Sequence, residues 1–194
     1  LINSNPDGYN INDNAGSTHI KGVIECVKNG KYDCGIAFDG DADRCLLVSD
    51  EGKEIDGDYI LAIYADYLKK TNSFKNNTIV GTVMSNLGLV KFCENNNINF
   101  EATKVGDRYV LENMLKNDYI IGGEQSGHII FKQFANTGDG QLTALQILNI
   151  LNKENREATI EEIAKEIEVP KEELAYALDA IQEPVSLFEP IYND

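Results

Sequence analysis

The sequence predicts an α/β protein: two consecutive α/β layered units with mixed sheets, followed by a short helical tail. Three observations carry this. Short apolar runs alternate with amphipathic stretches through residues 1–152, as strands and helices do when they stack in layers. The polar run "KKTNSFKNN" at residues 69–77 breaks that alternation once and marks a boundary between units. Beyond about residue 152 the strands stop and the charge shifts. Residues 1–152 hold 13 basic and 20 acidic side chains, whereas residues 153–194 hold 4 and 12, so the last fifth carries over half of the net charge of −15. The expected divisions are residues 1–73, 74–152 and 153–194.

Each element has a local reason. The opening "LINSNPDGYNINDNAGSTH" is rich in Asn, Asp, Gly and Ser and reads as loop. Ser17 or Thr18 is expected to cap a helix carrying Ile20, Val23, Ile24 and Val27, which ends at Asn29 and Gly30. "CGIAF" and "RCLLVSD" are short buried strands, and "DEG" is a hairpin-type turn. Asp56 caps a helix over residues 58–70 whose stripe is Ile60, Leu61, Ile63, Tyr64 and Leu68. In the second unit "TIVGTV", "NFEATKV", "YIIGGE" and "HIIF" read as strands. Helices are expected over residues 87–96, 107–116 and 139–151. In the tail, Thr159 and Glu162 make a capping box, and Pro170 opens a second helix, where its missing N–H costs nothing.

Composition excludes several function classes. No apolar run is long enough to span a bilayer, and no basic-then-apolar signal segment opens the chain. The four cysteines form no CxxC pair and have no neighbouring histidines, which predicts reduced thiols in a cytoplasmic protein rather than a zinc site. A chain this acidic lacks the basic footprint of a phosphate-backbone binder, so nucleic acid is not an expected partner. Leu1 in place of Met predicts a piece of something longer.

The densest chemistry is "FDGDADR", which sets Asp39, Asp41 and Asp43 at alternate positions and follows them with Arg44. Two carboxylates about 4 Å apart repel by roughly 4 kcal/mol at an effective dielectric near 20. A hard cation such as Mg²⁺, which takes oxygen ligands, resolves that repulsion, and the loop lies at the carboxyl end of a strand, where α/β proteins collect ligands. The other reading is a solvated acidic turn. An EF-hand is excluded, because Arg44 stands where that loop needs Gly and Asp50 where it needs Glu. The second stretch, "GGEQSGH", offers Glu124, Gln125, Ser126 and His128 to a hydroxyl-rich ligand, with a tight hairpin as the plainer reading. In the third, "KVGDRYV", Asp107 caps a helix and Arg108 pairs with a phosphate or with a neighbouring carboxylate. "NTGDGQ", residues 136–141, reads as a turn with Asp139 as cap.

In this order and spacing, "FDGDADR", "VGDRYV", "GGEQSGH" and "NTGDGQLTALQIL" closely resemble the α-D-phosphohexomutase family. With "GTVMSNLGL", they look most like its phosphoglucosamine branch, ahead of the phosphomannomutase and phosphoglucomutase branches. The resemblance covers residues 1–152 and implies parts of the second and third of four domains. It implies a sugar phosphate substrate and phosphoryl transfer through a phosphoserine. It implies Mg²⁺ on Asp39, Asp41 and Asp43, and Arg44 beside the transferring phosphoryl group. Glu124, Ser126 and His128 are implied at the sugar, and Gly106, Asp107 and Arg108 belong to the same substrate-binding set. The family's Ser-His-Asn-Pro and Arg-x-Ser-Gly-Thr-Glu type motifs do not occur in these 194 residues, so the chain alone is expected to be inactive.

Residues 156–194 resemble something else, the middle helix-turn-helix region of sporulation-class RNA polymerase sigma factors. The competing functional class is therefore a transcription protein. The sequence reads as a composite joined near residues 150–156. Neither half is complete, which favours a join made in assembling the sequence over a natural fusion.

Overall fold

A computed structural model describes residues 1–30 and 32–154. The expected tail helices, with Thr159, Glu162 and Pro170, lie outside the described residues. The chain divides into compact units at residues 1–150 and 151–194, and the account below concerns the first.

After the opening loop comes a 3₁₀ turn, Ser17–His19, and then α1, Lys21–Gly30. Neither Ser17 nor Thr18 is the cap: Gly16 occupies that place before the turn and no side chain bonds there. The strands β1 (Cys34–Phe38), β2 (Cys45–Ser49) and β3 (Glu54–Ile55) form one sheet in that order. Both pairings are antiparallel, a departure from the mixed sheet expected. The cause is connection length, since a loop of a few residues closes a hairpin and a parallel pair needs a long crossover. Strand β2 serves two sides, as period-two geometry requires. Leu46 and Val48 pack with Ala37 and α1's Val27, while Cys45 and Leu47 join the larger core.

Helix α2 (Gly57–Lys70) follows, capped by Asp56, whose Oδ1 accepts from Tyr59 N at 3.1 Å. Then come β4 (Thr78–Thr82), α3 (Leu87–Asn95), β5 (Asn99–Thr103), α4 (Asp107–Asn117), β6 (Ile121–Gly123), β7 (Ile129–Phe131) and α5 (Gly140–Glu154). The second sheet runs β5-β4-β6-β7, with β4 parallel to both neighbours and β7 antiparallel. Helical crossovers give the parallel pairs, and the short link between β6 and β7 gives the antiparallel one. Alternation along the strands makes three layers. Val80 and Ile130 pack with Val110 and Met114 of α4 on one face. Ile79, Ile121, Ile129 and Phe131 pack with α2, α3 and α5 on the other. Tyr64 of α2 meets Phe131 edge-on at 4.7 Å between ring centroids. So α2, grouped by sequence with the first unit, lays its stripe on the second sheet. All four cysteines are free thiols, and burial pushes Cys45 up to about 12 and Cys93 to about 11.

One polar group is deeply buried in this packing. Asp58, 1% exposed, accepts from Asn86 N at 2.7 Å through Oδ2, while Oδ1 has no hydrogen-bond partner among the described residues. Burial raises its pKa, against the lowering effect of the Asn86 N–H. A carboxyl whose folded pKa lies above its unfolded value stabilises the fold fully below the unfolded value, and that stability is lost as pH rises through the folded one. Asp58→Asn keeps an acceptor for Asn86 and removes the buried charge. It is expected to raise stability at pH 7 by about 1 kcal/mol, with the gain shrinking towards about pH 4. Denaturant melts of both proteins across that range check this, and a pH-independent difference would count against it.

Candidate functional site: an acidic loop against a glycine-rich loop

The acidic loop joins β1 to β2. Ala42 turns it with φ of 58°, its N–H bonding to Asp39 O at 3.2 Å. This folds the alternate aspartates onto one another, so that one oxygen from each of Asp39, Asp41 and Asp43 lies within 4.8 Å of the others. Arg44 closes the loop. Its backbone N–H donates to Asp39 Oδ1 at 3.2 Å, and its Nε lies 3.4 Å from Asp39 Oδ2 and 3.6 Å from Asp43 Oδ1. Burial raises the Asp43 pKa and the Asp39 charge raises it further, against the opposing pull of His128. The guanidinium meets two of the three carboxylates, and the buried Asp43 Oδ1 has no hydrogen bond among the described residues. That surplus of hard oxygen donors, one of them unsatisfied, fits Mg²⁺ held by Asp39, Asp41 and Asp43.

The second loop, residues 124–128, joins β6 to β7 and closes on itself through Gly127 N to Glu124 O at 3.0 Å. Backbone bonds tie it to the other loops: Cys45 N donates to Gly127 O at 3.1 Å and Gly57 N to Gln125 O at 2.9 Å. Gln125 Nε2 reaches Asp56 Oδ2 at 3.1 Å. Glu124 Oε1 accepts from Gly106 N at 2.8 Å, which draws in the loop after β5. His128 is buried, with Nε2 3.6 Å from Asp43 Oδ2. Ser126 stands with Ser17, Thr18, Arg44, Leu46 and Asp56 around a shallow recess.

The structure thus brings together Asp39, Asp41, Asp43, Arg44 and His128, and joins Glu124 to Gly106. It does not draw in Arg108, whose exposed side chain donates from Nε to Glu112 Oε1 at 2.7 Å along α4. Of the two readings for Arg108, the pairing is with a neighbouring carboxylate. Asp107 is not the cap of α4: Gly106 takes that place and Asp107 is the first helical residue, its Oδ1 accepting from Arg108 N. Asp139 does cap α5, accepting from Leu142 N at 2.9 Å.

Sequence reasoning missed Gly57. A Cβ there would lie 2.0 Å from Glu124 O, so only glycine lets α2 start against the second loop. The signal available was the "DGD" string after β3, where a glycine at a helix start has no propensity reason to be.

The profile of the phosphoglucomutase/phosphomannomutase α/β/α domain III matches residues 56–169, and that of sigma-70 region 3 matches residues 148–194. The phosphoglucosamine mutase of Clostridium beijerinckii is 56% identical over 156 residues, covering 80% of this chain and 35% of the relative. That of Clostridium perfringens strain 13 is 57% identical over 153 residues, covering 79% and 34%. The chain therefore spans about a third of the length of these curated relatives. Among solved structures, a phosphoglucomutase/phosphomannomutase family protein from Burkholderia thailandensis superposes with a TM-score of 0.63 at 27% identity, covering 71% of this chain and 30% of the other. A putative phosphomannomutase from Thermus thermophilus, at 22% identity and a TM-score of 0.59, covers 84% and 34% and shares the fold. With a domain profile matching over half its length and the three-layer fold that profile describes, the chain belongs to the phosphoglucomutase/phosphomannomutase family.

Proposed function

We propose that this chain is the cation-holding and sugar-binding part of a phosphoglucosamine mutase, which interconverts glucosamine 6-phosphate and glucosamine 1-phosphate by Mg²⁺-dependent phosphoryl transfer. The observation that carries the reading is the convergence of three aspartates within 4.8 Å, tied by backbone bonds to the residue 124–128 loop. The likeness to phosphoglucosamine mutases at 56–57% identity supports the choice of sugar over the phosphomannomutase and phosphoglucomutase alternatives. Mg²⁺ would supply charge neutralisation at a transferring phosphoryl group, where positioning and electrostatics provide most of the catalysis. Asp39, Asp41 and Asp43 would hold it, and Arg44 stands at their edge to meet phosphoryl oxygens. Glu124 and Ser126 would present an acceptor and a hydroxyl to sugar hydroxyls, with His128 from the same loop standing against Asp43. Gly106 orients Glu124 through its N–H. Asp107 and Arg108, next to it at the start of α4, complete the proposed substrate-binding set, Arg108 on condition that it leaves Glu112. A cytoplasmic setting accords with free thiols and with the absence, among the described residues, of a helix long and apolar enough to cross a membrane.

Titration of the isotope-labelled chain with glucosamine 6-phosphate in saturating Mg²⁺ is expected to move the amide resonances of residues 124–128, and mannose 6-phosphate to move them less. Equal response to both sugars, or none, would sink the sugar assignment. The chain alone is expected to give no isomerisation above a matched blank, because neither a phosphoserine motif nor a phosphate-gripping Arg-x-Ser-Gly-Thr-Glu motif is among its 194 residues. Turnover by the purified chain would overturn that.

A second reading rests on the sigma-70 region 3 match over residues 148–194. In it the tail is the working end and engages the transcription machinery. Salt-sensitive binding to promoter DNA or to RNA polymerase would favour it, although a net charge of −15 opposes binding to DNA.

A further inference from the structure

We propose that the turn at residues 136–141, "NTGDGQ", is a clamp that positions the acidic loop for its cation, with Gly140 and Gly138 as its positioning residues. The inference rests on the cation reading of Asp39, Asp41 and Asp43. By sequence the turn is a helix start and one of the four motifs of the resemblance, with no role of its own.

The acidic loop contains a residue that resists its own conformation. Ala42 sits at φ 58°, in the left-handed region that a side chain disfavours. Such a residue persists only where its surroundings over-determine it. One restraint is internal, the Ala42 N–H to Asp39 O bond. The other comes from the second sheet's side of the molecule, where Gly140 N donates to Ala42 O at 2.9 Å. Gly140 is also wedged between two carbonyls of the loop, since a Cβ there would lie 2.5 Å from Arg44 O and 2.8 Å from Ala42 O. These are the residues on either side of Asp43. Its carboxylate is approached from the same turn by another route. Gly138 lies flat against the His128 ring, where a Cβ would come within 2.4 Å of Nε2, and that nitrogen is 3.6 Å from Asp43 Oδ2. The turn thus meets the backbone around Asp43 through Gly140 and its side chain through His128.

The clamp has a rigid base. Asp139, between the two glycines, accepts from Leu142 N at 2.9 Å, and the hydroxyl of the fully buried Thr143 donates to Asp139 O at 2.7 Å. Helix α5 reaches the core through Ala144, Ile147 and Ile150, so the position of the acidic loop is referred to that core and not left to the loop itself. Neither glycine has a side chain that could touch the cation, so both act through the loop and His128.

The test uses the full chain. Mn²⁺ affinity, read by electron paramagnetic resonance, is expected to fall about tenfold in Gly140→Ala, the low end of the effect of outer-shell partners on metal sites. Gly138→Ala is expected to weaken Mn²⁺ in the same direction, with backbone shifts of β4 to β6 unchanged in both variants. A second measurement needs no variant. By linkage, a cation that is held better when the clamp is closed must also close the clamp. Saturating Mg²⁺ is therefore expected to slow hydrogen exchange of the Gly140 amide in the unaltered chain. Wild-type Mn²⁺ affinity in a folded Gly140→Ala, or an unchanged Gly140 exchange rate, overturns the clamp while leaving the cation site standing. If Asp41→Ala binds Mn²⁺ as well as the unaltered chain, the cation reading itself fails, and the two failures are distinguished.

Discussion

Asp41→Ala is expected to weaken Mg²⁺ binding by ten- to a hundredfold while leaving the fold intact. The size follows from ligand count. In the proposed site the cation would draw on three carboxylates whose oxygens lie within 4.8 Å, and affinity in oxygen-ligand sites is tuned by the number of charges supplied. Asp41 is the best of the three to remove. It is exposed in the loop, whereas Asp39 is largely buried and accepts from Arg44 N, and Asp43 contacts His128. Its loss therefore leaves no orphaned donor. The same substitution relieves repulsion in the cation-free protein, so thermal stability without Mg²⁺ should rise slightly, by less than about 1 kcal/mol because solvent screens an exposed charge. Opposite signs for affinity and stability are the signature of a site built for a cation. Calorimetric titration together with melts in EDTA reads both, and an acidic turn with no cation would show the stability gain with no affinity to lose.

Gly57→Ala is expected to destabilise the protein by about 3 kcal/mol, the upper part of the usual range for overpacking. Helix propensity points the other way, since Ala is the better helix former by about 1 kcal/mol. Sterics decide. A Cβ at residue 57 would lie 2.0 Å from Glu124 O and 3.0 Å from Gln125 O, and those atoms are backbone, which cannot rotate aside. Relief requires moving the residue 124–128 loop or the start of α2. Either breaks the Gly57 N to Gln125 O bond and disturbs the Asp56 cap, which also holds Gln125. For a domain of this size the melting temperature should fall by roughly 10 °C. Differential scanning calorimetry measures it, and a melt unchanged or raised would show that propensity had won and that the two loops are not locked through this glycine.

Apart from the two-residue strand β3, whose Glu54–Ile55 is too short to carry a pattern of its own, the sequence by itself determined the regular elements from β1 to α5. Each of these is specified by local signals. Short, continuously buried runs such as "TIVGT" and capping residues such as Asp56 and Asp139 act within a few residues of themselves. The acidic cluster was legible for the same reason: three carboxylates at alternate positions repel wherever the chain goes, and a turn at Ala42 suffices to gather them. The family was legible from four motifs read together.

Tertiary structure alone decided which of these local pieces meet. The stripe on α2 announces that a face is buried but not that it lies on Ile79, Ile121 and Phe131 of the second sheet. The contacts that build the site are backbone bonds and close approaches between distant segments: Cys45 to Gly127, Gly57 to Gln125 and Gly140 to Ala42. Even the side-chain link from Gln125 to Asp56 spans 69 residues. Glycines at such crossings carry no hydrophobic or charge pattern, so a local reading sees only turns. Their information lies in the space left by removing a Cβ, and that space exists only once the layers have packed.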